Sequence, residues 1–246
     1  MGNDVQNAQG FLLEQGELSL PPTGRPVIYS TKGVISSGHY LTSMAGLRML
    51  LEGGNAFDAI VASTIAASVV EPIASYSLGA ESTFMLYDKK SGELLSLSGQ
   101  GTTSSRATPE YFISKGYDSI PTGPGKSAPH SFTVPGVVAS CLSLLDKYGT
   151  KSVEDIFRPA LQYAESGIVN YEYMLNRLGA GDSIKQFELF PPGGLEVFFD
   201  LGEIPEAGTV LVQKSLGNVL RTLVEAANAA HGSRSDGIKA ARDRFY

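Results

Sequence analysis

The stretch from Gly38 to Pro72 constrains the fold most. It reads Gly38-His39-Tyr40, a helical segment, Gly53-Gly54-Asn55-Ala56-Phe57-Asp58-Ala59, a second helix, then Val70-Glu71-Pro72. Tyr40, Met44, Leu47 and Leu51 recur at helical spacing and make one apolar face. Gly53 and Gly54 can take the left-handed backbone that ends a helix. Asn55 is a good N-cap for the next helix, and Asp58 falls in its first turn, where a negative charge suits the helix dipole. From Ala56 to Val70 the residues are small or apolar on nearly every side, the pattern of a helix sandwiched between layers.

Further along, the same residue types mark other elements. Ser82–Asp88 and Glu93–Ser98 are apolar-rich runs around Lys89-Lys90-Ser91-Gly92, which predicts a hairpin with glycine at the turn. Short strands are expected at Val27–Ser30 and Gly33–Ser36. Thr108 precedes a short helix over Pro109–Lys115, and 120–135, rich in proline and glycine, reads as a loop. Helices are expected over Gly136–Tyr148, over Val153–Glu165 with Ser152 and Asp155 as a capping pair, and over Tyr171–Leu178. Phe190–Gly208 reads mostly as loop. Two more helices come after it, Leu216–Ala230 and Asp236–Arg244, with Asn228–Asp236 between them as an insertion. Met1–Pro26 is polar and reads as a flexible arm, leaving 27–246 as one domain. Strands followed by helices, without strict alternation, imply an α+β class.

These segments resemble the large subunit of the gamma-glutamyltransferase family, also called gamma-glutamyltranspeptidase. The family carries a similar Gly-His, Gly-Gly-Asn-Ala-x-Asp-Ala and Val-Glu-Pro string. Phe84-Met85-Leu86-Tyr87-Asp88 looks like its Phe-Met strand, and Thr133-Val134-Pro135-Gly136 like its Val-Pro-Gly motif. Lys147-Tyr148-Gly149, Pro159-Ala160 and Ala164-Glu165-Ser166-Gly167 fit the family's next segments. The resemblance implies the N-terminal nucleophile hydrolase fold, a four-layer αββα sandwich of which 27–246 would be an incomplete large-subunit domain. It also implies a precursor that cuts itself, so that a new N-terminal Thr attacks an amide with its own amine as base. That Thr is expected beyond Tyr246, with no catalytic residue in this chain. Gly101-Thr102-Thr103 could mimic a cleavage point, but a cut there would sever the hairpin from the rest of the chain.

The resemblance places substrate contacts after the hairpin. There the family has Leu-Asp-x-Arg-Glu-x-Ala-Pro, whose arginine grips a substrate carboxylate. Here Gln100 stands at the arginine and Gly101 at the glutamate, with Arg106 six residues on as a possible substitute. Leu78-Gly79-Ala80-Glu81-Ser82 replaces a run of glycines, and Glu81 would either repel an anionic substrate or sit in a solvated turn. Gln100, Gly101, Glu81 and Arg106 are therefore the candidate substrate-binding residues. They point to an amide other than a standard gamma-glutamyl one. The alternative is a non-catalytic binding or scaffold protein that retains the fold.

Other features set bounds. The net charge is −6 with no block of like charges, which argues against nucleic acid, a ligand that needs a clustered basic surface. Cys141 is the only cysteine, so an intrachain disulfide is impossible, and His39, His130 and His231 are too scattered for a metal site. No cofactor or metal is expected. Gly123-Pro124-Gly125-Lys126-Ser127 ends like a phosphate-binding loop, but Ile120 stands where its first glycine belongs. No run is long and apolar enough to span a membrane. The first basic residue is Arg25 and Phe11-Leu12-Leu13 is too short for a secretory signal, so a cytoplasmic location is expected, or a periplasmic or secreted one if the true start lies upstream. The expected partners are a small-molecule amide and the self-cleaved small subunit of the same precursor.

Overall fold

The computed structural model describes residues 27–74, 76–121, 126–181, 183–189 and 194–246. The expected arm over 1–26 and the glycines of the phosphate-loop look-alike lie outside them. The chain divides into two units, Met1–Val34 and Ile35–Tyr246. In the first, residues 27–34 form no strand: the hydroxyl of Ser30 accepts the N–H groups of Lys32 and Gly33, turning the backbone on itself. The strand expected over Gly33–Ser36 is absent as well.

The second unit is α+β, built around one buried helix. Helix α1 (Tyr40–Leu51) and helix α2 (Ala56–Val70) form a helical hairpin. Gly53 closes it at φ +83°, and Gly54 N–H donates to Met49 O at 2.7 Å. Asn55 caps α2 in a full capping box with Asp58. Every residue from Ile65 to Val70 is buried. Burying side chains such as Val61, Ile65 and Val69 contributes about 2 kcal/mol each.

Tyr40, Met44, Leu47 and Leu51 do share a face of α1, but it is turned to solvent, while Thr42, Ala45, Gly46 and Met49 are buried. Close approach explains the inversion. A Cβ on Gly46 would lie 2.8 Å from Ala59 O, so α1 meets α2 through its smallest residues.

Strands β1 (Ser82–Asp88) and β2 (Glu93–Gly99) form the predicted antiparallel hairpin, with Phe84 opposite Leu97 and Leu86 opposite Leu95. Helix α3 (Pro109–Ser114) is capped by Thr108, as expected. Helices α4 (Val137–Tyr148) and α5 (Val153–Ser166) pack against α2, and Leu86, Leu95 and Leu97 of the hairpin join the same core. Ser152 and Asp155 complete the capping box of α5.

A smaller cluster sits at the C-terminal end of α2. It holds strand β3 (Ile168–Val169), helices α6 (Glu172–Leu178), α7 (Ser183–Leu189) and α8 (Gly194–Phe198), and strand β4 (Val210–Leu211), paired with β3. Tyr171 Oη donates to Val70 O at 3.0 Å and Gln213 Nε2 to Val69 O at 2.7 Å, so α2's last carbonyls are capped from this cluster. Helix α8 falls within the span expected as loop. Aromatic contacts of Phe187 with Phe198 and Phe199 hold such short helices, where propensity could not.

Helices α9 (Lys214–Ala229) and α10 (Arg234–Phe245) finish the chain. The expected insertion between them shrinks to residues 230–233, because Ser233 caps α10 with Asp236. The Arg234 guanidinium donates to Leu145 O, Asp146 O and Lys151 O, fastening α10 to the end of α4.

Candidate functional site

The end of the hairpin and the start of α4 are locked together by backbone. Ala80 O accepts the N–H groups of Gly136 and Val137, each at 3.1 Å. Gly99, Gln100 and Gly101 run alongside Val134, Pro135 and Gly136. A Cβ on Gly101 would overlap Val134 O, and one on Gly136 would overlap Gly99 O. Both glycines are therefore there for close packing, and position 101 has no room for a side chain on this backbone.

A cleft of about 490 Å³ opens beside this junction, between the hairpin and α2. Its walls are apolar at Ile60, Phe84 and Val137, and polar at Tyr76, Glu81 and Gln100. Glu81 and Gln100 thus come together in one cleft. Gly101 lines a neighbouring hollow of about 380 Å³, with Gln100 at the boundary of both. Arg106 lines neither; its backbone N–H donates to Ser104 Oγ and its side chain is outside the cleft. Arg242 instead lines the neighbouring hollow, with Tyr246, whose hydroxyl donates to Pro135 O.

Thr133 was not anticipated from the sequence. Its hydroxyl donates to Glu81 Oε1 at 2.9 Å. A partner 52 residues away leaves no local signal. Thr133 also forms an antiparallel bridge with Thr103, and Val134 N–H donates to Thr102 O at 3.0 Å. These contacts close the neck of an excursion over residues 104–132. Within it, Tyr111 Oη meets His130 Nδ1 at 2.9 Å, and Phe112 is buried.

The remaining candidates have structural roles. Cys141 is fully buried, and burial pushes its thiol up to about 12, so it is no nucleophile at neutral pH. His39 caps α1: Nδ1 accepts Leu41 N–H at 3.2 Å. Among the described residues no group of three His, Cys, Asp or Glu side chains could hold a metal ion. No helix among them is long and apolar enough to cross a membrane.

Comparison with known proteins agrees with this architecture. The gamma-glutamyltranspeptidase family profile matches residues 42–231. A glutathione hydrolase-like YwrD proenzyme of Bacillus subtilis is 31% identical over 205 residues, covering 82% of this chain and 37% of the relative. An acylase ACY 1 proenzyme of a Pseudomonas species is 29% identical over 214 residues, covering 83% of this chain and 37% of the relative. The chain thus spans little more than a third of the length of these curated relatives. The crystal structure of Helicobacter pylori gamma-glutamyltranspeptidase superposes with a TM-score of 0.72 at 27% identity, covering 87% of this chain and 60% of that one. A cephalosporin acylase from Bacillus halodurans superposes at 0.69 and 25% identity, covering 91% and 45%. With the family profile matched along most of its length, the chain belongs to the gamma-glutamyltranspeptidase family.

Proposed function

We propose that the complete protein is an amide hydrolase or acyltransferase that acts on an amide other than a standard gamma-glutamyl one. The observation that carries this reading is the cleft itself. Gln100 faces it where the family motif has an arginine, and among the described residues lining it there is no lysine or arginine. A glutamine offers neutral hydrogen bonds where a carboxylate calls for a charged fork. Losing such a contact at a desolvated site costs on the order of 2–5 kcal/mol. The nucleophile would be a Thr beyond Tyr246, freed at a new chain start: its own amine takes the hydroxyl proton as the oxygen attacks the amide carbon, that proton passes to the amine that leaves as the C–N bond breaks, and water or an acceptor amine then takes the acyl group from the Thr oxygen. Kinship with proteins named acylases as well as glutathione hydrolases supports a family site that takes more than one acyl group.

The test is kcat/KM of the self-processed complete protein on a gamma-glutamyl anilide and on a simple acyl anilide. Preference for the simple anilide supports the reading. Preference for the gamma-glutamyl compound overturns it. A precursor that never cuts itself and hydrolyses neither points to the binding or scaffold alternative.

A further inference from the structure

Charge in the cleft is one-sided. Among the described residues lining it, Glu81 is the single charged side chain. Its carboxylate is oriented, since Thr133 Oγ1 donates to Oε1 at 2.9 Å and Thr133 is held by its bridge to Thr103. A hydroxyl on one oxygen leaves the second without a bonded partner among the described residues. Three other hydroxyls along the wall are bonded within the protein: Thr64 Oγ1 donates to Ile60 O, Ser82 Oγ bonds Ser140 Oγ, and Ser77 Oγ accepts Gly79 N–H. What the wall offers a ligand is apolar surface, the neutral polar groups of Tyr76, Thr83 and Gln100, and one carboxylate.

We propose that Glu81 is a specificity-determining residue that selects a substrate carrying an ammonium group on an apolar body. This rests on the amide-hydrolase reading of the same cleft and narrows it. A hydrogen bond between an ammonium and a carboxylate is roughly twice as strong as a neutral one. A substrate carboxylate would instead meet a like charge. Tyr76, half exposed in the wall, adds a ring face that favours a cation. Glu81 itself is exposed, so water screens the pair and the selectivity expected is about tenfold rather than the larger factors of desolvated ion pairs.

The experiment measures binding of three probes of similar shape to the complete, self-processed protein by NMR titration: 3-phenylpropylamine, 3-phenylpropanol and 3-phenylpropionate. The amine is expected to bind about tenfold more tightly than the alcohol, and the carboxylate more weakly than both. Glu81→Gln should erase the amine's advantage and leave the alcohol unchanged. Thr133→Val, which frees the carboxylate from its orienting bond, should reduce the advantage without abolishing it. Equal binding of amine and carboxylate, an amine advantage that survives Glu81→Gln, or no binding of any probe would each overturn the proposal. Because these titrations need no turnover, they can fail while the anilide assay succeeds, and the reverse.

Discussion

The carboxylate of Glu71 occupies the space that a side chain at Gly38 would need. A Cβ on Gly38 would overlap Glu71 Oε2. The other oxygen accepts the hydroxyl of Thr42, at the third position of α1, across 2.7 Å. A buried acid at the end of α2 therefore sits at the start of α1, where a helix favours negative charge. This gives a physical reason for Gly38-His39 and Val70-Glu71-Pro72 to occur together: one supplies the gap that the other fills.

Gly38→Ala should accordingly destabilise the protein by about 1–3 kcal/mol, the usual cost of overpacking. Urea unfolding followed by circular dichroism measures it. In a Glu71→Ala background the same substitution should cost much less, because the obstacle is gone. Equal costs in both backgrounds would show that Glu71 is not the obstacle.

Asp58 should matter more than an N-cap partner normally does. It is fully buried, and its oxygens accept the N–H groups of Asn55, Thr150 and Lys151 and the hydroxyl of Thr150 at 2.7–3.0 Å. Asp58→Ala is expected to cost roughly 3 kcal/mol, since each stranded donor costs about 1–3. Asp58→Asn should fall between, because one oxygen can still accept. Denaturant midpoints of the three proteins provide the comparison.

Stability should fall as His39 takes up a proton. Burial holds its imidazole below the ordinary value, and the attraction of Glu71 offsets part of that. The unfolded chain then binds the proton more readily than the folded one. The contribution of neutral His39 is fully present above its unfolded value of about 6.5 and is lost as pH falls through the lowered folded value. The carboxyls held low, Asp88, Glu110, Asp236 and Asp243, respond at more acidic pH. Urea midpoints between pH 7.5 and 5 should drop, and His39→Asn, which keeps a capping acceptor, should flatten the slope.

Gln100→Arg in the complete, self-processed protein should raise kcat/KM for gamma-glutamyl anilides by tenfold or more, each ~1.4 kcal/mol being tenfold in rate. Glu81 stays in place in this variant, since it would hold the ammonium that a gamma-glutamyl group also carries. If Gln100→Arg does not improve on the unmutated protein, the carboxylate is held elsewhere.

Restoring a side chain at the next position should fail for a different reason. Gly101→Ala places a Cβ against Val134 O, backbone that cannot step aside without moving the start of α4. Loss of thermal stability, with Gln100→Arg unaffected, is the expected result.

Much of this fold was legible where a few neighbouring residues decide the outcome. The Gly53-Gly54-Asn55 break, the Ser152 and Asp155 pair and the hairpin turn at Gly92 all depend on local backbone chemistry. The buried face of α1 was not legible from apolar spacing, because Gly46 allows an approach that larger residues would prevent. Strands β3 and β4 have two residues each, too few to show a period. In the site, Glu81 and Gln100 stood out as departures from a known motif. Thr133 could not, since its bond to Glu81 depends on how the chain returns to the hairpin.

That return has a consequence of its own. The ends of the excursion meet at Thr102–Thr103 and Thr133–Val134, so its contour length is decoupled from the scaffold it leaves. Doubling a closed loop adds only about 0.6 kcal/mol of closure entropy. The segment is thus a cassette: shortened, lengthened or exchanged beyond its neck, it leaves the packing of Gly99, Gly101 and Gly136 in place.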